Sequence, residues 1–185
     1  MINKYSYINI YENKKKNSKL SSQILYGEKF TILKKYRDWY RIKTSYDKYE
    51  GYIKKKKFEE FNFKPTHKVS SLKANIFLKP DRNSQIKMKL SFSSLLHVKS
   101  SKKGFLNFDN YWIQKSDVVP LDYREKIFKR ISIFRNVKYK WGGKKFDGVD
   151  CSGLIQLFYK FNNLYCPRDT GPQFKYFKRF NSIKK

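Results

Sequence analysis

Cys151 is the side chain in this sequence best placed to do chemistry. It lies in Asp150-Cys151-Ser152-Gly153, and Leu154, Ile155, Phe158 and Phe161 follow at the spacing of one helix face. A thiol in the first turn of a helix sits at the partly positive end of the macrodipole, which favours thiolate over thiol and makes a nucleophile. Asp150 and Ser152 flank the sulfur with a carboxylate and a hydroxyl suited to a substrate's polar groups. Gly153 lets another backbone approach closely. Spacing alone leaves an alternative open, a buried and inert cysteine at a helix start. Cys166 is expected to serve packing. The two histidines both precede the cysteine, His67 in a linker and His97 inside a strand, where core or surface roles are expected of them; no histidine follows Cys151.

The elements that must position these residues change character near Asp122. Beyond it, Ile127, Phe128, Ile131 and Phe134 fall at i, i+1, i+4 and i+7, predicting an amphipathic helix over 127–134. A second helix is expected through 154–161, with the Gly-rich turn Trp141-Gly142-Gly143 between them. A third is expected over 173–180, behind Pro172. Before Asp122 the pattern alternates. Ser22-Gln23-Ile24 and Ser84-Gln85-Ile86 each open a stretch ending in Phe (Phe30, Phe92), and each continues as strand, turn, aromatic strand and short closing strand. The expected strands are 31–34, 39–42 and 51–53 in the first copy, and 95–98, 105–108 and 111–113 in the second, whose turn is expected at 100–104. This predicts an internal duplication of small antiparallel barrels.

Composition narrows the function classes. With 43 basic and 15 acidic residues the net charge is +28, but 18% aromatic content is too rich for a disordered polybasic tail. The lysines are scattered, and no recognition helix, zinc finger or aromatic RNA-binding signature accompanies them, so no specific nucleic-acid partner is expected. Charge-driven nonspecific binding stays a competing reading. No apolar run approaches the ~18–20 residues of a membrane span. The first residues do not follow the order of a secretory signal, so a cytoplasmic location is expected. Two cysteines are too few for a disulfide scaffold and lack zinc-ligand company.

Several motifs taken together carry a resemblance. Tyr139-Lys140-Trp141-Gly142-Gly143, then Gly148-Val149-Asp150-Cys151-Ser152-Gly153-Leu154, then Pro167-Arg168-Asp169-Thr170 with Gln173 resembles the NlpC/P60 family of papain-like cysteine peptidases. The stretch from Ser22 to Glu28, with Asp38-Trp39-Tyr40-Arg41-Ile42 and Gly51-Tyr52-Ile53, resembles a bacterial SH3-type (SH3b) domain; the second copy, with Pro80-Asp81-Arg82, resembles it more weakly. The expected fold is therefore mainly β plus α. It comprises SH3-like barrels over 1–62 and 68–121, then over 122–185 the helical N-terminal half of a papain-like α+β domain whose sheet is largely absent.

The combination is most similar to the endopeptidases that cut γ-D-glutamyl–diamino-acid bonds in peptidoglycan stem peptides. The resemblance implies Cys151 as nucleophile and Asp150 and Ser152 at the border of the acyl site, with Asp150 holding the free amino group of an N-terminal L-Ala. It implies Thr170 in the substrate pocket, and Tyr49 or Tyr52 from the first barrel as its wall, Tyr49 being preferred. The implied partners are peptidoglycan-derived peptides, acted on in wall recycling; no metal or organic cofactor is implied. Family members take their base from a histidine on a downstream strand. A C-terminally incomplete chain, inactive by itself, is therefore the expectation, with apolar helix faces left short of their sheet. The alternative is a non-catalytic module that binds wall peptides.

Overall fold

A computed structural model describes residues 1–60 and 64–182. The expected domain boundary at residue 62 and the chain's last three residues lie outside that description. The first unit contains β1 (Tyr7–Tyr11), β2 (Leu20–Leu25), β3 (Phe30–Lys35), β4 (Trp39–Thr44) and β5 (Glu50–Lys54), hydrogen-bonded in the antiparallel order β2-β1-β5-β4-β3. Side chains alternate across a strand, so β1 buries Ile8 and Ile10 and turns Tyr7, Asn9 and Tyr11 to the other face. Ile8, Ile10, Ile24, Phe30, Ile42 and Ile53 form this unit's core.

The second unit holds β6 (His67–Val69), β7 (Lys73–Phe77), β8 (Ile86–Ser91), β9 (Leu95–Leu96), β10 (Ser100–Lys102), β11 (Phe105–Phe108), β12 (Tyr111–Gln114) and β13 (Val118–Pro120). Its main sheet, read from β8, runs β8-β7-β12-β11-β10, and β13, β6 and β9 make a three-stranded companion. With β7 equivalent to β1 and β8 to β2, this is the strand order of the first unit, so the duplication is visible in the topology. In both units the hydrogen bonding defines five-stranded antiparallel sheets, with β2 and β3, and β8 and β10, as edges.

Two details of the second copy depart from expectation. The single strand expected over 95–98 is split, because Leu95 and Leu96 pair with β6 while the following residues leave that ladder to start β10 at Ser100, inside the expected turn. His97 consequently lies between strands, its Nδ1 2.6 Å from the Lys64 carbonyl, and His67, placed in a linker by sequence, is the first residue of β6.

The helix expected over 127–134 is instead a series of turns ending in a 3-10 segment, Ile131–Phe134. Phe128 adopts a φ of +69°, a left-handed conformation that stops a right-handed helix. Bonds from the amides of Ile131, Ile133, Arg135 and Val137 each reach back three residues. The apolar side chains still converge, because Phe134 is buried and Ile127 and Ile133 pack beside it.

Two helices follow, α1 (Cys151–Phe161) and α2 (Thr170–Ser182). The apolar face of α1 is not left bare. Leu157, Phe158 and Phe161 are fully buried against Leu25 from β2, Phe92 and Phe134. Phe92 stacks on Phe161 at 4.6 Å and meets Phe158 at 5.2 Å. Burial of each such side chain contributes about 1.5–3 kcal/mol, so the SH3-like units supply much of the cover expected from a catalytic-domain sheet.

Lys68 secures the far end of α1. It is 1% exposed, and its Nζ donates to the carbonyls of Phe161, the last residue of the helix, and of Tyr123 (2.6 Å). A cation at a helix C-terminus satisfies orphaned carbonyls and complements the dipole.

Candidate active site

The start of α1 is fixed by its cap. Asp150, extended at φ −95°, ψ 171°, accepts the Gly153 amide on Oδ1 at 2.7 Å and the Gly142 amide on Oδ2 at 2.8 Å. Arg168, 3% exposed, then closes on the same carboxylate with two bonds, Nη1 to Oδ1 at 3.0 Å and Nη2 to Oδ2 at 2.6 Å. Its Nη1 also donates to Ser152 Oγ (2.9 Å) and its Nε to Ser22 Oγ on β2 (3.0 Å). One planar guanidinium therefore ties the helix start to the first sheet. Gln173 on α2 adds bonds to the carbonyls of Ser152 (2.9 Å) and Pro167 (2.8 Å).

Ahead of the helix, β14 (Lys144–Lys145) and β15 (Gly148–Val149) form a short hairpin. The Lys144 amide donates to Gln23 Oε1 at 2.7 Å, which docks the hairpin on β2. Gly142, at φ +71°, lies against Leu20, whose carbonyl oxygen a Cβ would meet at 2.9 Å. Gly153 is likewise obligatory, because a Cβ there would meet the Gly143 carbonyl oxygen at 2.6 Å.

Cys151 is exposed at the first residue of α1. It opens on a cleft of about 340 Å³ whose walls come from three directions. Glu12, Ser21 and Tyr49 belong to the first unit. Tyr139 and Trp141, 65% and 64% exposed, form an aromatic rim. Asp150, Ser152, Arg168, Asp169 and Thr170 complete it. The sequence-predicted Cys151, Asp150, Ser152, Thr170 and Tyr49 thus border one space. Tyr52 does not line it, and packs against Tyr36 at 6.1 Å.

Both oxygens of Asp150 are engaged by the Arg168 guanidinium and two backbone amides, so that in this structure the carboxylate serves as the cap of α1. Asp169 differs. Among the described residues its carboxylate has no hydrogen bond or ion pair, and desolvation in the cleft, reinforced by Asp150 and Asp47 and opposed by Arg168, raises it above the ordinary aspartate range. Burial likewise raises the Tyr49 phenol. The second cysteine, Cys166, is fully buried, and its thiol is pushed up to about 12, mainly by desolvation. Among the described residues no histidine lines the cleft and no group of side chains could hold a metal ion.

Comparison with known proteins identifies the two regions that meet at this cleft. Residues 10–58 match the bacterial dipeptidyl-peptidase SH3 domain, and residues 136–185 match the NlpC/P60 family. The chain carries an SH3b domain and part of an NlpC/P60 domain. A γ-D-glutamyl-L-lysine dipeptidyl-peptidase of Bacillus subtilis (strain 168) is 27% identical over 172 residues, covering 84% of this chain and 58% of the relative. The protein of the same name from Bacillus cereus (strain ATCC 10987 / NRS 248) is 25% identical, covering 84% and 54%. Dipeptidyl-peptidase 6 of Lysinibacillus sphaericus is 24% identical, covering 88% and 69%. The chain thus spans a little over half the length of the first two relatives. The crystal structure of an NlpC/P60 family protein from Bacillus cereus ATCC 10987 superposes with a TM-score of 0.72 at 22% identity, over 85% of this chain and 59% of that one, a likeness of fold. The second SH3-like unit lies outside both family matches, and its kinship with the first rests on strand order.

Sequence reasoning assigned no role to Arg168 or Asp169, although both stand in the quoted Pro-Arg-Asp-Thr motif. Nothing in the sequence distinguishes a buried, carboxylate-bound arginine from a solvated one. Glu12 and Ser21 carry no local signal, because only the docking of the first sheet on the β14–β15 hairpin brings them to Cys151.

Proposed function

We propose that this chain supplies the nucleophile and the substrate pocket of a cysteine endopeptidase that cleaves γ-D-glutamyl–diamino-acid amide bonds in peptidoglycan stem peptides. The observation that carries the reading is an exposed Cys151 at the mouth of α1, opening on a cleft walled by Tyr49 and Ser21 of the SH3b unit. In the proposed reaction the Cys151 sulfur adds to the γ-carbonyl carbon of D-Glu. The C–N bond breaks as the proton given up by the thiol passes to the diamino acid's nitrogen, and water then hydrolyses the thioester, releasing the γ-carboxyl of D-Glu and restoring the Cys151 thiol. A cleft closed on one side by the SH3b wall favours short peptides with a free N-terminus. In place of Asp150, Asp169 is the carboxylate assigned to that ammonium group, since Asp150 is already saturated. Action in the cytoplasm on soluble peptides belongs to the same proposal.

A second reading, a wall-peptide binding module, draws on the lack of a histidine in the cleft among the described residues, since removing a general base lowers rates by roughly 10²–10⁴-fold. Calorimetry with L-Ala-γ-D-Glu-L-Lys tests the pocket. The peptide should bind, N-acetylation or Asp169→Asn should weaken binding roughly tenfold or more, and Cys151→Ala should leave it intact. No binding at millimolar peptide would refute both readings. Turnover that Cys151→Ala abolishes would select the enzyme, and turnover unchanged in that variant would exclude Cys151 as nucleophile.

A further inference from the structure

A second cleft, of about 540 Å³, lies where the two SH3-like units meet the end of α1, and shares no lining residue with the cleft at Cys151. Lys160 reaches its floor. Nine residues along a helix of 3.6 residues per turn set Lys160 about half a turn round and roughly 13 Å beyond Cys151, on the opposite face of α1. The walls are largely apolar and aromatic: Tyr46 from the first unit, Leu95 and Leu121 from the second, and Leu164 and Tyr165 from the loop after α1. The Tyr46 and Tyr165 rings stand 6.1 Å apart.

The floor carries an imbalance of charge. Glu28 is buried between two buried lysines. Its Oε1 accepts from Lys160 Nζ and lies 3.7 Å from Lys144 Nζ, while its Oε2 takes the Leu25 amide at 2.5 Å. Two ammonium groups thus share one carboxylate. Asp47, a further carboxylate whose charge acts on Lys160, is engaged by Thr44, the Tyr49 amide and Gln156 Nε2 (2.7 Å). Lys160 uses two of its three N–H groups, on Glu28 and on the Ser93 carbonyl at 3.2 Å. Lys29 adds a further cation to the lining. Buried charge is costly unless paired, so an incoming anion would meet both an unused donor and an electrostatic surplus.

We propose that this cleft is a binding site for a small organic carboxylate with an aromatic or branched apolar body. The carboxylate binds at Lys160 and the body packs between the two tyrosines and Leu95 and Leu121. One spare buried donor suits a monoanion, whereas a phosphate would need several donors. The site is independent of the reaction proposed for Cys151 and of the histidine that reaction requires.

The test uses the chain with 4-phenylbutyrate as probe and 4-phenylbutyramide as its uncharged match, followed by NMR of the leucine methyl groups. Saturable shifts at Leu95, Leu121 and Leu164 with the acid, and affinity for the amide weaker by roughly tenfold or more, are expected. Lys160→Met should abolish the preference for the acid. Ser45→Trp, which fills the mouth without touching the ion pair, should weaken both ligands while the fold persists. The proposal is overturned by absence of shifts at 10 mM acid, by equal binding of acid and amide, by full affinity in Ser45→Trp, or by shifts confined to leucine methyl groups that do not line this cleft.

Discussion

Replacing Arg168 with methionine isolates the interaction on which the geometry of the Cys151 helix rests. The substitution keeps an apolar stem but removes four bonds: two to Asp150, one to Ser152 Oγ and one to Ser22 Oγ. Asp150, itself 7% exposed, would retain the amides of Gly142 and Gly153 but lose its counter-ion. Breaking a buried ion pair from one side destabilises by about 3–5 kcal/mol, because the remaining charge is stranded. At about 2–4 °C per kcal/mol for a chain of this size, Tm should fall by roughly 6–20 °C. Urea denaturation of Arg168→Met, Asp150→Asn and the double variant is the assay. The double variant carries no stranded charge, so its loss should be smaller than the sum of the single losses by about 1–3 kcal/mol. Hydrogen exchange at the Gly142 and Gly153 amides should accelerate in Arg168→Met. A loss below about 1 kcal/mol, or strict additivity of the two changes, would refute the claim that this guanidinium holds the cap in place.

Three further outcomes follow from the same packing. Glu28→Gln would leave Lys160 and Lys144 without their shared carboxylate and should lower stability at neutral pH by about 3–5 kcal/mol in urea denaturation. Although burial alone would raise it, the Glu28 carboxyl is held below its ordinary 4.5 by the two lysines, so its contribution is present above about that pH and is lost as pH falls through the depressed value; the variant should therefore lose less stability than the parent on acidification. Native-state alkylation at mildly alkaline pH should modify Cys151 and spare Cys166, whose thiol is buried and pushed up to about 12; equal rates by mass spectrometry would contradict the described burial. Gly153→Ala should destabilise by about 1–3 kcal/mol despite alanine's higher helix propensity, because the added methyl meets the Gly143 carbonyl oxygen at 2.6 Å; a thermal melt showing stabilisation would count against that contact.

Local order in the sequence made much of this fold legible. The expected strands over 31–34, 39–42 and 51–53 fall within β3, β4 and β5, and the repeated Ser-Gln-Ile opening marks a duplication whose two sheets share one strand order. Asp150 before Cys151 signals a helix start, and α1 begins there. The failed helix over 127–134 shows the limit: its apolar spacing is a demand for burial, which turns of three-residue period met equally well once Phe128 turned left-handed. The cover over Leu157, Phe158 and Phe161 could not be read either, since Leu25 and Phe92 come from distant elements of other units. At the site, residue types at the helix mouth marked Cys151 as the candidate nucleophile, and its side chain is exposed on the cleft. Which carboxylate is free and which is bound depends on Arg168 folding back over Asp150, a tertiary fact without a local signature.

The central claim, that Cys151 is a nucleophile facing a peptide pocket built jointly with the SH3b unit, is tested most directly by the rate of iodoacetamide modification at Cys151 with and without L-Ala-γ-D-Glu-L-Lys. The account predicts slower modification with the peptide present, and loss of that protection when Tyr49 is replaced by alanine. A rate at Cys151 unchanged by saturating peptide would contradict it.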